Sequence, residues 1–313
     1  MKKSTREGFG ETITQAGKNK NIIVLTADLR ESTKVKEFSQ KYPERFIECG
    51  VAEQNMIGIA AGIALSETGK IPITTSFGVF TPGRTLDQIR INVCYNKANV
   101  KIAATHCGIN VGADGATHQA LEDLAIMRTM PNMIVLNPCD YEESIKATKE
   151  MMKHKGPVYI RLYREKINQI TNKKDKFEIG KINVLKEGKD ATIIATGYMV
   201  EKALKAAFLL KKQKISVAVL NCHTIKPIDE KMIVKYATKT KAIITAEEHQ
   251  ITGGLGGAVA EVLTREYPVI QEFIAVKDSF GQSGTAEELY KYYKLDEKSI
   301  IKAVKKAITR KKK

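Results

Sequence analysis

No uninterrupted apolar run approaches the roughly 18 residues that a membrane-crossing helix needs. The opening MKKSTREGFGETI turns polar before a signal-peptide core could form. Both absences argue against a membrane protein, and a cytoplasmic location is expected. The five cysteines, Cys49, Cys94, Cys107, Cys139 and Cys222, form no C-x-x-C pair and no spacing with histidine that would hold a metal. Free thiols are therefore expected, with neither a disulfide frame nor a metal site. Zinc-finger and RNA-binding motifs are missing too, and this decides how the formal net charge of +16 is read. Apart from KNKN, TNKKDK and the terminal ITRKKK, the lysines are spread along the chain, as solvated lysines are, so no nucleic-acid partner is expected. The ITRKKK end is expected to be a tail.

What the sequence does have is enough apolar material for a core. With 313 residues, 43% of them hydrophobic, two domains are expected. Strand-like runs (NIIVLTADL, PITTSF, VKIAATHCGI, NMIVLNP) alternate with helix-like ones (GIAAGIALSE, RTLDQIRINVCY, DYEESIKATKEMMKH). This alternation predicts an α/β fold built on a parallel sheet. The rhythm stops after GPVYIRLYR, where EKINQITNKKDKFEIGK is polar and aperiodic, and restarts at DATIIATG. The expected organisation is two tandem parallel-sheet, three-layer domains, over 1–165 and 187–313, joined by a linker over 166–186.

Chemistry concentrates in the first domain. Glu53, in RFIECGVAEQNM, stands at the start of an apolar helix, where an acidic side chain is favoured by the helix dipole alone. A functional reading needs company, and the sequence supplies it. TSFGVFTPGR sets Phe77 and Phe80 three apart after a strand, and THCGINVGADGATHQ gathers His106, Asp114 and His118 in one loop. Taken singly, the phenylalanines read as core and the loop residues as hydrogen-bonding groups. Taken together, an acid, an aromatic pair and a polar loop, each following a strand, converge on the carboxyl edge of a parallel sheet, where ligands of open α/β folds bind. The turn TGGLGGAV in the second domain is open between a nucleotide site, close backbone packing, a regulatory remnant and dimer contacts.

GVAEQNM, SFGVF and THCGINVGADGATHQALEDLAIMRTMPNMIVLNP together resemble the pyrimidine-binding domain of transketolases, over about residues 1–165, with a more distant likeness to 1-deoxyxylulose-5-phosphate synthases. The second domain resembles the C-terminal domain of the same enzymes, EEHQITGGLGGAV being its clearest run. The resemblance implies thiamine diphosphate as cofactor. Glu53 would contact the pyrimidine nitrogen and share a proton with it, with Phe80 stacking on the ring and Phe77 beside it. Asp114 would bind a substrate hydroxyl and His118 would lie near the reacting carbons. His106, Arg6, Ser32 and Arg164 would form the sugar-phosphate set, arginine suiting phosphate through paired, charge-assisted hydrogen bonds.

Two departures shape what is expected. Many transketolases have a tyrosine three residues after the second phenylalanine. Here Gly83 stands there, and Arg84 matches instead an arginine of the deoxyxylulose-phosphate synthases, which makes it a candidate substrate contact. The GDG and downstream NN elements through which transketolases hold diphosphate and metal do not occur. The resemblance therefore implies a C-terminal subunit of a split transketolase, sharing thiamine diphosphate with an N-terminal partner subunit that binds the diphosphate and Mg2+ or Ca2+, in a heterotetramer acting on sugar phosphates in the pentose phosphate pathway. The alternatives are a β subunit of a 2-oxo acid dehydrogenase, which usually lacks the DGATHQ loop, a subunit like the deoxyxylulose-phosphate synthases, and a non-catalytic partner-binding domain pair.

Overall fold

The computed structural model describes residues 2–311. The first unit runs β1 (Lys2–Lys3), α1 (Thr5–Ala16), β2 (Ile22–Thr26), α2 (Lys36–Lys41), β3 (Phe46–Glu48), α3 (Glu53–Leu65) and β4 (Ile71–Phe77). It continues through α4 (Leu86–Gln88), a π-helical stretch (Ile89–Tyr95), β5 (Lys101–Thr105), α5 (Asp123–Thr129), β6 (Ile134–Leu136), α6 (Tyr141–Lys153), β7 (Val158–Arg161) and β8 (Ile167–Asn168). The second unit comprises β9 (Asn183–Lys186), β10 (Ala191–Ala195), α7 (Met199–Lys212), β11 (Val217–Asn221), β12 (Thr224–Lys226), α8 (Glu230–Thr240) and β13 (Ala242–Gln250). It ends with α9 (Leu255–Glu266), β14 (Ile270–Val276), α10 (Ala286–Tyr292) and α11 (Glu297–Arg310). No helix among the described residues is long and apolar enough to cross a membrane.

The first sheet has the order β12-β6-β7-β5-β4-β2-β3 and the second β14-β13-β10-β11-β9, each parallel but for one antiparallel edge strand. The chain leaves β2 toward β3 on one side and returns to β4 on the other. This makes the β2/β4 boundary a switch point, with a crevice at the strands' carboxyl ends. Helix α3 forms its wall. It buries Met56, Ile57, Ala60 and Ala61 on one face, the i, i+4 stripe of a 3.6-residue period, and nothing lies within 4 Å of where a side chain would start at Gly58 or Gly62 on the other.

The two units share a core. Leu25, Ile102 and Val135 of the first sheet belong to the same buried cluster as Ile194, Leu220, Ile243 and Val259 of the second unit. Strand β12 leaves the second unit altogether and pairs with β6, Thr224 opposite Leu136. The stretch expected as a linker, 166–186, is structured at both ends: β8 pairs with β1, and β9 is the antiparallel edge of the second sheet. Between them, carboxylates replace a ladder. Asp140 accepts from the Ile170 and Thr171 amides, and Asp229 from the Ile182 amide, each acid also capping the helix that follows it. The first four residues expected as a tail, ITRK, are instead ordered: residues 308–310 belong to α11, and Lys311 caps it; Lys312 and Lys313 lie outside the described residues.

Candidate active site

Glu53 is the first residue of α3, 2% exposed, in the crevice at the switch point. Phe77 ends β4, and the turn after it carries Phe80 back so that the two rings stack at 5.7 Å. Arg84, one turn further, donates through Nη1 to both Glu53 oxygens at 3.3 Å and lies 4.0 Å over the Phe80 ring. The setting of Glu53 is therefore not purely apolar, since a guanidinium neutralises it. A flat, nitrogen-bearing ring fits this donor set: Glu53 supplies an acceptor at one edge and Phe77 and Phe80 an aromatic face. Both attractions are engaged by Arg84 here, whose side chain is 47% exposed. Among the described residues no group of three or more histidines, cysteines or acids is arranged to hold a metal.

The aromatic pair leads directly to a basic corner. His106 follows β5 and stacks on Phe77 at 3.8 Å. Arg6, from the first turn of α1, donates Nη1 to the Ser32 carbonyl at 2.8 Å and to His106 Nε2 at 3.2 Å. Guanidinium only donates, so Nε2 is the acceptor and Nδ1 carries the proton, which it gives to Thr105 Oγ1 at 2.9 Å. Burial, with the charges of Arg6 and Arg164 next, pushes His106 down to about 3, so its imidazole is neutral at physiological pH. Burial also lowers the pKa of Arg6, and the Arg164 charge adds to it. Arg164 donates to the Val111 carbonyl at 2.9 Å and to Asp114 at 3.3 Å. His118 stands edge-on to both rings, 5.5 Å from Phe80 and 6.2 Å from Phe77.

All ten sequence-selected residues thus fall into two adjoining patches. Glu53, Phe77, Phe80 and Arg84 make one, Arg6, Ser32, His106, Asp114 and Arg164 the other, and His118 borders both. Ser32 enters through its backbone carbonyl rather than its hydroxyl. Sequence reasoning missed Thr105, which accepts the His106 Nδ1 proton, and the buried pair Arg161–Asp123 (2.8 Å) beneath the loop. It also left TGGLGGAV open. The Leu255 and Gly256 amides that open α9 donate to the Glu247 carboxylate at 2.7 Å, so an internal acid takes the place of an external anion. A side chain at Gly254 would start 2.0 Å from Glu247 Oε2, which makes the glycine a requirement of close packing.

Family models match along the chain: the transketolase pyrimidine binding domain over residues 1–169 and the transketolase C-terminal domain over 180–300. The chain belongs to the transketolase family. A transketolase C-terminal section from Methanocaldococcus jannaschii is 48% identical over 308 residues, covering 96% of this chain and 95% of that protein. A 6-deoxy-6-sulfo-D-fructose transketolase subunit from Clostridium sp. is 44% identical over 296 residues, covering 95% and 91%. Among solved structures, a split gene transketolase in an inactive beta4 tetramer superposes with a TM-score of 0.89 at 44% identity, over 98% of each chain. Within the transketolase family, Glu53, Phe77 and Phe80 stand in the pyrimidine-binding unit, and the turn after Glu247 in the C-terminal one.

Proposed function

We propose that this chain is the C-terminal subunit of a split transketolase, moving a two-carbon ketol unit from a ketose phosphate to an aldose phosphate. It would act in the cytoplasm, in the pentose phosphate pathway, as half of a heterotetramer. Its partner would be an N-terminal subunit that holds the diphosphate and Mg2+ or Ca2+. The observation that carries the reading is the joint placement of buried Glu53 and the stacked Phe77–Phe80 pair at the switch point, directly beside the basic corner. Relatives named as a C-terminal section and a subunit support the division into two chains.

Thiamine diphosphate, when bound, supplies the nucleophilic carbon that carries the ketol unit. Glu53 would contact the ring nitrogen and share a proton with it, while Phe77 and Phe80 would hold the ring plane. Neutral His106 and the charged Arg6 and Arg164 orient the anionic end of the sugar. Asp114 takes a hydroxyl, and His118 handles a proton at the reacting carbons. Arg84 would have to release Glu53 for the ring to bind there and would then be free to meet the substrate.

Co-purification with a partner chain bearing the diphosphate-binding domain, followed by a ketol-transfer assay with xylulose 5-phosphate and ribose 5-phosphate, tests this. Activity is expected in the complex and absent from the isolated chain. Glu53→Gln should lower turnover by at least ~100-fold, in the range of general acid–base contributions, with assembly intact. An active isolated chain, or near wild-type turnover in the variant, refutes the proposal.

A further inference from the structure

The site loop, residues 108–119, bends at three glycines with positive φ, Gly108 (82°), Gly112 (81°) and Gly115 (76°). At each, the space a side chain would take belongs to the second unit. A Cβ on Gly108 would lie 2.3 Å from Glu248 Oε1, one on Gly112 3.3 Å from the Gly284 carbonyl, and one on Gly115 2.7 Å from Ser283 Oγ. The fit is reciprocal, for a Cβ on Gly281 would meet Gln119 Oε1 at 1.7 Å. Glycine here serves both a left-handed backbone and close approach between units.

Directed bonds fix the same contact. Glu248, 1% exposed on β13, accepts through Oε1 from the Asn110 amide at 2.7 Å and from Asn110 Nδ2 at 2.9 Å. Its other oxygen accepts from the Tyr290 hydroxyl of α10 at 2.8 Å. Its carbonyl accepts from Arg161 Nη2 at 2.9 Å, so the residue that grips the loop is itself tied to β7. Gln119 closes the loop's far end, donating Nε2 to the Ile109 and Gly112 carbonyls within the loop and, at 3.0 Å, to the Gln282 carbonyl across the interface. Asp114 and His118 lie between these two anchors.

We infer that the second unit serves the reaction by holding this loop, with Glu248 as the positioning residue that sets Asp114 and His118 against the aromatic pair. A buried carboxylate accepting three hydrogen bonds makes a stiff anchor, because each lost bond leaves a desolvated group behind. Glu248 is buried with both carboxylate oxygens already bonded, which leaves it no oxygen for a ligand. The consequence for catalysis rests on the transketolase reading; the anchoring of the loop does not.

The test therefore has two arms. In the full-length chain alone, hydrogen exchange of amides 108–119 should quicken at least tenfold in Glu248→Ala and stay within twofold of wild type in Glu248→Gln, which keeps an acceptor for Asn110. Sheet amides in both units should not change. In the assembled enzyme, Glu248→Ala should raise the KM for the donor sugar at least tenfold and leave thiamine diphosphate affinity within twofold, with Glu248→Gln again restoring it. If Glu248→Ala does not fold, Asn110→Ala, which removes the partner side chain, carries the same expectations. Unchanged exchange and KM in a folded variant overturn the inference. Quickened exchange in a chain whose wild-type complex transfers no ketol unit keeps the anchor and sinks the transketolase reading.

Discussion

Replacing Arg161 with methionine tests what holds the floor of the site. The guanidinium is fully buried and spends four donors on fixed partners. Nε bonds Asp123 at 2.8 Å, Nη1 the Tyr163 hydroxyl at 2.7 Å, and Nη2 the Ala120 and Glu248 carbonyls at 3.0 and 2.9 Å. Asp123, 2% exposed, keeps only the Tyr159 hydroxyl when Arg161 is gone. Removing one partner of a buried pair costs about 3–5 kcal/mol, because the remaining charge has neither water nor a counter-ion. Methionine fills much of the volume, so a packing loss adds little, and we expect ~4 kcal/mol, a large part of the ~5–15 kcal/mol typical of a folded protein. Urea unfolding of the isolated chain, followed by far-ultraviolet circular dichroism, reads this as a lower midpoint. The double variant Asp123→Asn/Arg161→Met removes both charges and should recover on the order of 2 kcal/mol. A single variant within ~1 kcal/mol of wild type, or a double variant no better than the single, refutes the stranded-charge argument.

Two pH predictions separate by range. Burial holds His106 at about 3, below its ordinary value near 6.5, so as pH falls below ~6.5 the unfolded chain takes up a proton the folded one refuses. Stability should fall by on the order of 1 kcal/mol per pH unit between pH 6 and 4, and His106→Asn should flatten that slope; parallel slopes count against a buried neutral imidazole. Lys101 is buried with its ammonium on the His154 and Gly156 carbonyls at 2.7 and 2.6 Å, and burial lowers it to about 7. Between pH 7 and 10 the unfolded chain holds the proton and the folded one does not, so wild-type stability should rise with pH relative to Lys101→Met, by up to about 1 kcal/mol per unit, and a constant difference refutes it.

The sequence pattern carried most of the parallel strands because fully buried strands read as continuous apolar runs: IIVLT, IPITTSF, ATIIA and VAVLN all lie where expected. The two antiparallel edge strands, β9 and β12, were not legible. Strand β12, TIK, is three residues long, and its partner β6 lies some ninety residues earlier, a pairing that no local periodicity encodes. Helix α1, TREGFGETITQA, carries two glycines and three threonines and has little apolar periodicity. Its signal was the capping box Ser4–Glu7, S-T-R-E in the sequence, and α10 carries the same device in Thr285–Glu288. In the site, residue types at strand ends were readable while their partners were not. Nothing near Glu53 in sequence announces Arg84 thirty-one residues on, and nothing in EEHQ reveals that consecutive glutamates serve different partners, Glu247 the start of α9 within its own unit and Glu248 the loop of the other.

The basic corner shows why its residues are better explained by a ligand than by folding. Arg6 is partly buried, which lowers its pKa, as does the charge of Arg164, and its Nε, out of contact with solvent, has no hydrogen-bond partner among the described residues. His106, which could have relieved the crowding only by accepting, is forced neutral and bonded through Nε2 to Arg6. Glu7 and Glu165 offset this charge only in part, and Asp114, which reaches Arg164 at 3.3 Å, is more than a third exposed and adds little. A fold selected for stability alone would place an acid in hydrogen-bonding contact with Arg6 or replace it with an apolar side chain. On the function proposed above, two guanidiniums beside a neutral imidazole suit an anion with several acceptor oxygens, and the stacking of His106 on Phe77 sets this corner against the aromatic pair.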